Sequence, residues 1–321
     1  MTLRALLPAI HARPTGGNVY NRRILSLLHA KREVFREGMT LAPGTWLIDS
    51  LVAREAAPLF VDGVRPILIA HYLHLLDPAR RDSRDAAHER KLLPRFAGVV
   101  TTSDYSRDVL RDEGVKNAIT IAPGLDDRYR APVVAALHTP ARLLTVASLL
   151  PGKAIVEFVG VLEALADLPW TWDLAGDATL DLAYAARVAR RIARSAVRDR
   201  IRLRPPLPPA RLVALYDRSD LFVLPTRFET CSMVTREAMA RGLAVVAYDV
   251  GGVGANLPRA GAQGLVAAGD EAQLAATLRR LIEDAKERAR LGVANRTAAM
   301  RFPTWEESAK SLWSAATQLP L

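Results

Sequence analysis

The chain has 321 residues, half of them apolar and 24% charged, with one cysteine and a formal net charge of +10. These values exclude a disordered chain and a disulfide-stapled miniprotein, and they give length for two ordinary domains. A single thiol closes no internal disulfide, no Cys/His cluster has zinc spacing, and no run approaches the ~18–20 apolar residues of a membrane helix.

In chain order, the first apolar run is LRALLPAI at 3–10, followed by a Gly-Gly turn and the helix-like NVYNRRILSLLHA. This opening lacks the basic-then-apolar layout of a secretory signal, so a cytoplasmic location is expected. The strand pattern returns with WLID at 46–49, ILIA at 67–70, GVV at 98–100 and AITIA at 118–122. Continuous apolar runs separated by amphipathic stretches predict a parallel sheet covered on both faces. Residues 123–142 hold three prolines and no clear period, which predicts a linker. The rhythm restarts with LLTVA at 143–147, WDLAG at 172–176, IRLR at 201–204, LFVLP at 221–225 and AVVAYD at 244–249, and helical patterns close the chain at about 270–284, 286–300 and 304–318.

The positive charge is spread evenly over both halves, with one dense stretch. From Arg187 to Arg204 there are eight arginines against a single acid, Asp199. The pattern reads as the solvated face of a helix at 181–196 whose inward side carries Leu182, Ala186, Ala189, Ile192 and Ala193. No aromatics interleave with the arginines, so nucleic acid is not an expected partner, whereas a nucleotide phosphate or an anionic membrane surface suits the charge.

Ligands of open parallel sheets sit beyond the carboxyl ends of the strands. The richest such stretch is LFVLPTRFETCSMVTREAMARGLAVVAYDVGGV at 221–253, where a buried strand ends, a loop carries Glu229 and a helix from about Met233 carries Glu237. Both carboxylates can face a ligand at that helix's N-terminus, where N–H groups and the dipole favour phosphate. Cys231 lies just ahead of the helix, a position that can lower a thiol's pKa; the competing reading is a small buried residue in a tight loop.

This stretch resembles the donor-site signature of retaining GT-B glycosyltransferases of the group-one type, family four. Further segments resemble that family in order: TGGNVY at 15–20, VVTTSDYSRDVL at 99–110, ITIAPGLD at 119–126, LLTVASLLPGKAIVEFVGVLEAL at 143–165 and FPTWEES at 302–308. The resemblance implies an α/β GT-B fold, two Rossmann-like doubly wound domains facing a cleft. The expected bounds are an acceptor domain at 1–130, a nucleotide-sugar donor domain at 131–303, and a last helix at 304–321 crossing back to the first domain.

Carried over by position, the resemblance implies that Glu229 orients the donor sugar's hydroxyls, Glu237 the ribose, and Lys153 the diphosphate. The backbone at Thr230, Cys231, Ser232 and Met233 would approach the sugar and phosphates, Gly16 and Gly17 would let the backbone approach the diphosphate, and His71 would sit by the reacting sugar. Ser148 is a departure, since many members carry Arg there and the diphosphate contact is then one cation poorer. The reading is a metal-independent, retaining hexosyl transfer from a nucleotide-diphosphate sugar, which is a co-substrate, so no cofactor is expected. No Asp-x-Asp pair occurs. The acceptor is unknown; lipid-linked acceptors and peripheral contact with the inner membrane face are compatible with the family. The alternatives are a sugar-nucleotide epimerase or sugar phosphorylase of the same fold, or a catalytically silent nucleotide-binding homologue.

Overall fold

Strands made of Leu, Ile, Val and Ala and buried on both faces can be stable only between two layers of helices. The computed structural model describes residues 2–133 and 137–318. It builds two such three-layer units, one from the residues up to Gly124 and from Pro303 onward, the other from Leu125–Phe302.

The first unit has strands β1 (Arg4–Leu7), β2 (Lys31–Val34), β3 (Gly44–Asp49), β4 (Val64–Ala70), β5 (Gly98–Thr101) and β6 (Ala118–Thr120). All pair in parallel, in the order β2-β1-β3-β4-β5-β6. Helices α1 (Gly16–Leu27), α2 (Ala53–Ala56), α3 (Arg84–Leu92) and α4 (Asp104–Asp112) connect them. Hydroxyl N-caps start three of these helices: Thr15 accepts from Asn18 N, Ser83 from Ala86 N and Ser103 from Ser106 N. The strand order reverses direction at β1 and β3, so the switch point of this sheet lies between their carboxyl ends. Strand β2 was not legible as a strand because it is a charged edge, Lys-Arg-Glu-Val, largely exposed.

The second unit contains α5 (Asp127–Arg130), β7 (Ala141–Val146), α6 (Ile155–Glu163), β8 (Trp170–Ala175), α7 (Leu182–Ala193), β9 (Ile201–Arg204) and α8 (Pro209–Asp217). It continues with β10 (Leu221–Leu224), α9 (Met233–Ala240), β11 (Ala244–Tyr248), β12 (Leu265–Val266), α10 (Glu271–Glu283) and α11 (Ala285–Ala299). Its parallel order is β12-β11-β10-β7-β8-β9, the doubly wound arrangement whose switch point falls between β7 and β10. Buried polar groups in this core are satisfied: Trp172 Nε1 donates to Thr145 Oγ1 (3.0 Å), whose hydroxyl donates to Val223 O (2.8 Å).

The break between units falls after Gly124 rather than at 130/131. Leu125 and Tyr129 are part of the second core, and the buried Arg241 guanidinium donates to the carbonyls of Tyr129 (3.2 Å) and Ala131 (2.8 Å), tying α5 to that unit. The return to the first unit begins at Pro303. The last helix, α12 (Trp305–Gln318), starts with a reciprocal capping box in which Glu307 accepts from Thr304 N (2.8 Å) and Thr304 Oγ1 accepts from Glu307 N (3.1 Å). It packs on α1, with Trp305 edge-on to Tyr20 and Ser308 Oγ donating to Ala122 O (2.8 Å). A Cβ on Gly124 would lie 2.4 Å from Trp305 N, so only glycine lets the helix start pass over that loop. Residues 319–321 of the expected helix lie outside the described residues, as do 134–136 of the expected linker.

The inward face expected for α7 is corrected. Tyr184, Val188 and Ile192 point into the core, Leu182 is 72% exposed, and Ala186, Ala189 and Ala193 face outward. The rotation is set by Tyr184, whose hydroxyl accepts from Ile155 N (3.0 Å) at the start of α6 and whose ring fills the core. Among the described residues no helix is long and apolar enough to cross a membrane.

Candidate functional site

The expected site residues fall into two groups, one at each sheet's switch point. In the second unit the loops after β7 and β10 are stitched together. Arg227 N donates to Gly152 O (2.8 Å), and Thr226 Oγ1 donates to Gly152 O (3.1 Å). This brings Lys153 Nζ to 2.5 Å from Glu229 Oε2, an ion pair with both side chains about one-fifth exposed. Residues 76 apart in sequence are thus joined by strands that neighbour in space. Ser148 lies half-buried in the loop after β7, against which Gly176 packs so closely that a Cβ would fall 1.8 Å from Ala147 O.

From Glu229 to α9 the backbone is fixed from behind. Gly252 N donates to Glu229 O (2.9 Å) and Asn256 Nδ2 to Cys231 O (2.5 Å). A Cβ at Gly251 or Gly252 would strike the carbonyl of Glu229 (1.9 Å) or Thr230 (2.2 Å), so this glycine pair is what lets the loop seat. Ser232 takes a left-handed conformation (φ 60°) at the N-cap of α9, and its hydroxyl turns to Thr235 Oγ1 (2.7 Å) instead of capping the helix. The first N–H groups of α9, beginning at Met233, are therefore left to solvent or to an anion, as suits a phosphate. Cys231 is 4% exposed, and burial pushes its thiol above the ordinary value despite the opposing effect of Arg236. Desolvation thus opposes the lowering that the helix position permits, and the side chain is buried as the competing reading expects.

Glu237, one turn into α9, accepts from Tyr216 Oη (3.0 Å), and the Tyr129 phenol lies beside it. Burial raises its carboxyl to about 7, against the lowering effect of the two phenols. Tyr129 and Tyr216 meet edge to face at 5.9 Å. The hydrogen bond from Tyr216 satisfies part of the carboxylate's capacity and leaves lone pairs for a ligand.

In the first unit Gly16, Gly17 and His71 gather at the carboxyl ends of β1, β3 and β4. A Cβ on Gly17 would lie 2.9 Å from His71 Cγ, whereas one on Gly16 meets nothing within 4 Å. The His71 ring is edge-on to Tyr20 (5.2 Å), and Nε2 is 2.9 Å from Asn21 Oδ1. Asn21 Nδ2 in turn donates to Asp49 Oδ2 (2.6 Å). Burial holds the imidazole below its ordinary value, against the raising effect of Asp49. Among the described residues no group of three His, Cys, Asp or Glu side chains is placed to hold a metal ion.

Residues 140–284 match the family model described as Glycosyl transferases group 1. The matched residues lie in the second unit, which is thus similar to the group 1 glycosyltransferases. It is 38% identical over 109 residues to a D-inositol 3-phosphate glycosyltransferase of Nocardia farcinica, covering 34% of this chain and 24% of that one. Against the enzyme of the same name from Rhodococcus jostii it is 31% identical over 245 residues, 67% of this chain and 50% of that one. The chain thus spans about a quarter to a half of these relatives' length. In fold it is similar to Anabaena HepE in complex with UDP and glucose, with a TM-score of 0.81 at 18% identity over 99% of this chain and 100% of that one.

Several residues of the candidate site were not legible in the sequence. Tyr129 and Tyr216 support Glu237, and Asn21 and Asp49 support His71. Asp49 carried a usable signal, as the polar last residue of an apolar strand beside a switch point. Asn21 lies one helical turn after Gly17, on the same face of α1. The two tyrosines gave none, because the linker and α8 are far from Glu237 in sequence.

Proposed function

We propose that this chain transfers a hexose from a nucleotide-diphosphate sugar to an acceptor hydroxyl, with retention and without a divalent ion. The observation that carries the reading is the Lys153–Glu229 pair at the switch point of the second sheet, four residues ahead of the uncapped start of α9. The diphosphate would lie against the first turn of α9 with Lys153 as its cation. As the bond from the sugar carbon to the β-phosphate oxygen breaks, its electron pair passes to that oxygen, and the Lys153 charge and the helix N–H groups stabilise it. The acceptor hydroxyl attacks from the leaving-group side and gives its proton to the departing phosphate, so no protein nucleophile is required. Glu229, freed from Lys153 by the incoming diphosphate, orients the sugar hydroxyls, and Glu237 accepts from the ribose. In the first unit Gly16, which has open space where a side chain would be, and His71 keep the roles that the resemblance implies for them.

The relatives' names make an inositol phosphate the first acceptor to test. A thermal-shift panel of nucleoside diphosphates and their sugars tests the donor, since a ligand at ~100 times its Kd stabilises by roughly 2.7 kcal/mol. The matching donor is expected to raise the melting temperature, and incubation with inositol phosphate to give an α-linked product from an α-linked donor at a rate unchanged by EDTA. No shift with any diphosphate would overturn the reading. Loss of activity in EDTA with recovery on adding magnesium would overturn the metal-free mechanism.

A further inference from the structure

Asp49, 1% exposed, is the anchor of a chain of hydrogen bonds that ends on His71. As a carboxylate it can only accept: Oδ1 takes Leu51 N (2.8 Å) and Oδ2 takes Asn21 Nδ2 (2.6 Å). An asparagine that gives its NH2 group to one neighbour turns its carbonyl to the other, and Asn21 Oδ1 faces His71 Nε2 at 2.9 Å. That oxygen has no hydrogen to give, so the ring nitrogen must carry it. The separation of 3.8 Å between His71 Nε2 and Asp49 Oδ2 is too long for a direct hydrogen bond, so the carboxylate acts through Asn21. The ring's position is fixed separately, by Gly17 under its Cγ, by the Tyr20 edge, and by Ser50 Oγ accepting from His71 N (3.2 Å).

We infer that Asp49 and Asn21 are positioning residues that lock His71 as its Nε2–H tautomer, so that Nδ1 is the one ring nitrogen with a lone pair. The consequence for chemistry rests on the proposed function: at Nδ1 the ring can accept a hydrogen bond, as from a sugar hydroxyl, and cannot donate one.

Asp49→Asn tests this, because the replacement is nearly isosteric and its orientation is dictated. Leu51 N–H keeps an oxygen opposite it, so the new NH2 group points at Asn21. Asn21 must then turn its oxygen to residue 49 and its NH2 group to His71, and the ring becomes Nδ1–H. Long-range proton–nitrogen NMR of 15N-histidine-labelled protein at pH 8, with the His71 signals assigned by His71→Gln, reads the tautomer directly. In the wild type Nε2 is expected at the protonated, pyrrole-type position and Nδ1 at the pyridine-type position. Asp49→Asn should exchange the two, and Asn21→Ala should leave a mixture. A wild-type ring protonated on Nδ1, or an Asp49→Asn spectrum with the wild-type pattern, overturns the inference. Sugar transfer by Asp49→Asn is expected to fall about tenfold or more with nucleoside diphosphate affinity unchanged. Exchanged resonances with unchanged transfer would uphold the tautomer lock and remove His71 from the reaction.

Discussion

Glu237 is placed where binding and stability oppose each other, and replacing it with Gln separates the two. In the folded protein its carboxyl titrates at about 7 against an ordinary 4.5, because burial disfavours the charge. The folded state therefore holds a proton between those values that the unfolded state has released, and stability falls as pH rises from about 4.5 to about 7 and is flat above. The difference corresponds to roughly 3 kcal/mol. Gln carries no charge, so it removes this loss, but with one carboxamide oxygen it gives up about 1 kcal/mol if one phenol goes unpartnered. The net expectation is a variant more stable than the wild type by about 2 kcal/mol at pH 8. That is a gain of roughly 4–8 °C in Tm for a unit of this size. At pH 5 the gain should vanish or reverse. Nucleoside diphosphate affinity should move the other way, weakening roughly tenfold to a hundredfold as the ribose loses a charged acceptor. Melting curves of both proteins at pH 5 and pH 8, without ligand, decide the stability part. A stability difference independent of pH would refute the buried-carboxylate reasoning, and undiminished affinity would remove Glu237 from the ribose.

The two glycines of the first unit should separate in the same way. Gly17→Ala drives a methyl into the His71 ring and should cost both stability and transfer, whereas Gly16→Ala, at an open first helical position, should fold as well as the wild type and lose donor affinity alone; equal stability of the two variants in urea would contradict this geometry. Cys231 should alkylate far more slowly in the folded protein than in urea, because it is buried with its thiol raised, and rapid labelling of the native protein at pH 7 would show that the loop before α9 opens.

The sequence by itself determined the layers and the chemistry-bearing loops. Apolar strand runs at fixed rhythm require two covered parallel sheets, and polar residues past the ends of β7 and β10 mark the candidate ligand loops of the second of them. Two of the four edge strands escaped that reading, since β2 and β12 are too charged or too short to show a period, whereas β6 and β9 were legible. The face of α7 was misassigned because small and apolar residues surround that helix, and only the docking of Tyr184 on α6 selects one side. What tertiary structure alone decided is which groups meet. Lys153 and Glu229 pair because β7 and β10 are neighbours, and Tyr129 reaches Glu237 because Arg241 ties the segment after Gly124 into the second core. The raised carboxyl of Glu237, the raised thiol of Cys231 and the tautomer proposed for His71 follow from those meetings. Desolvation and hydrogen-bond direction are properties of a packed neighbourhood, and periodicity along a chain carries neither.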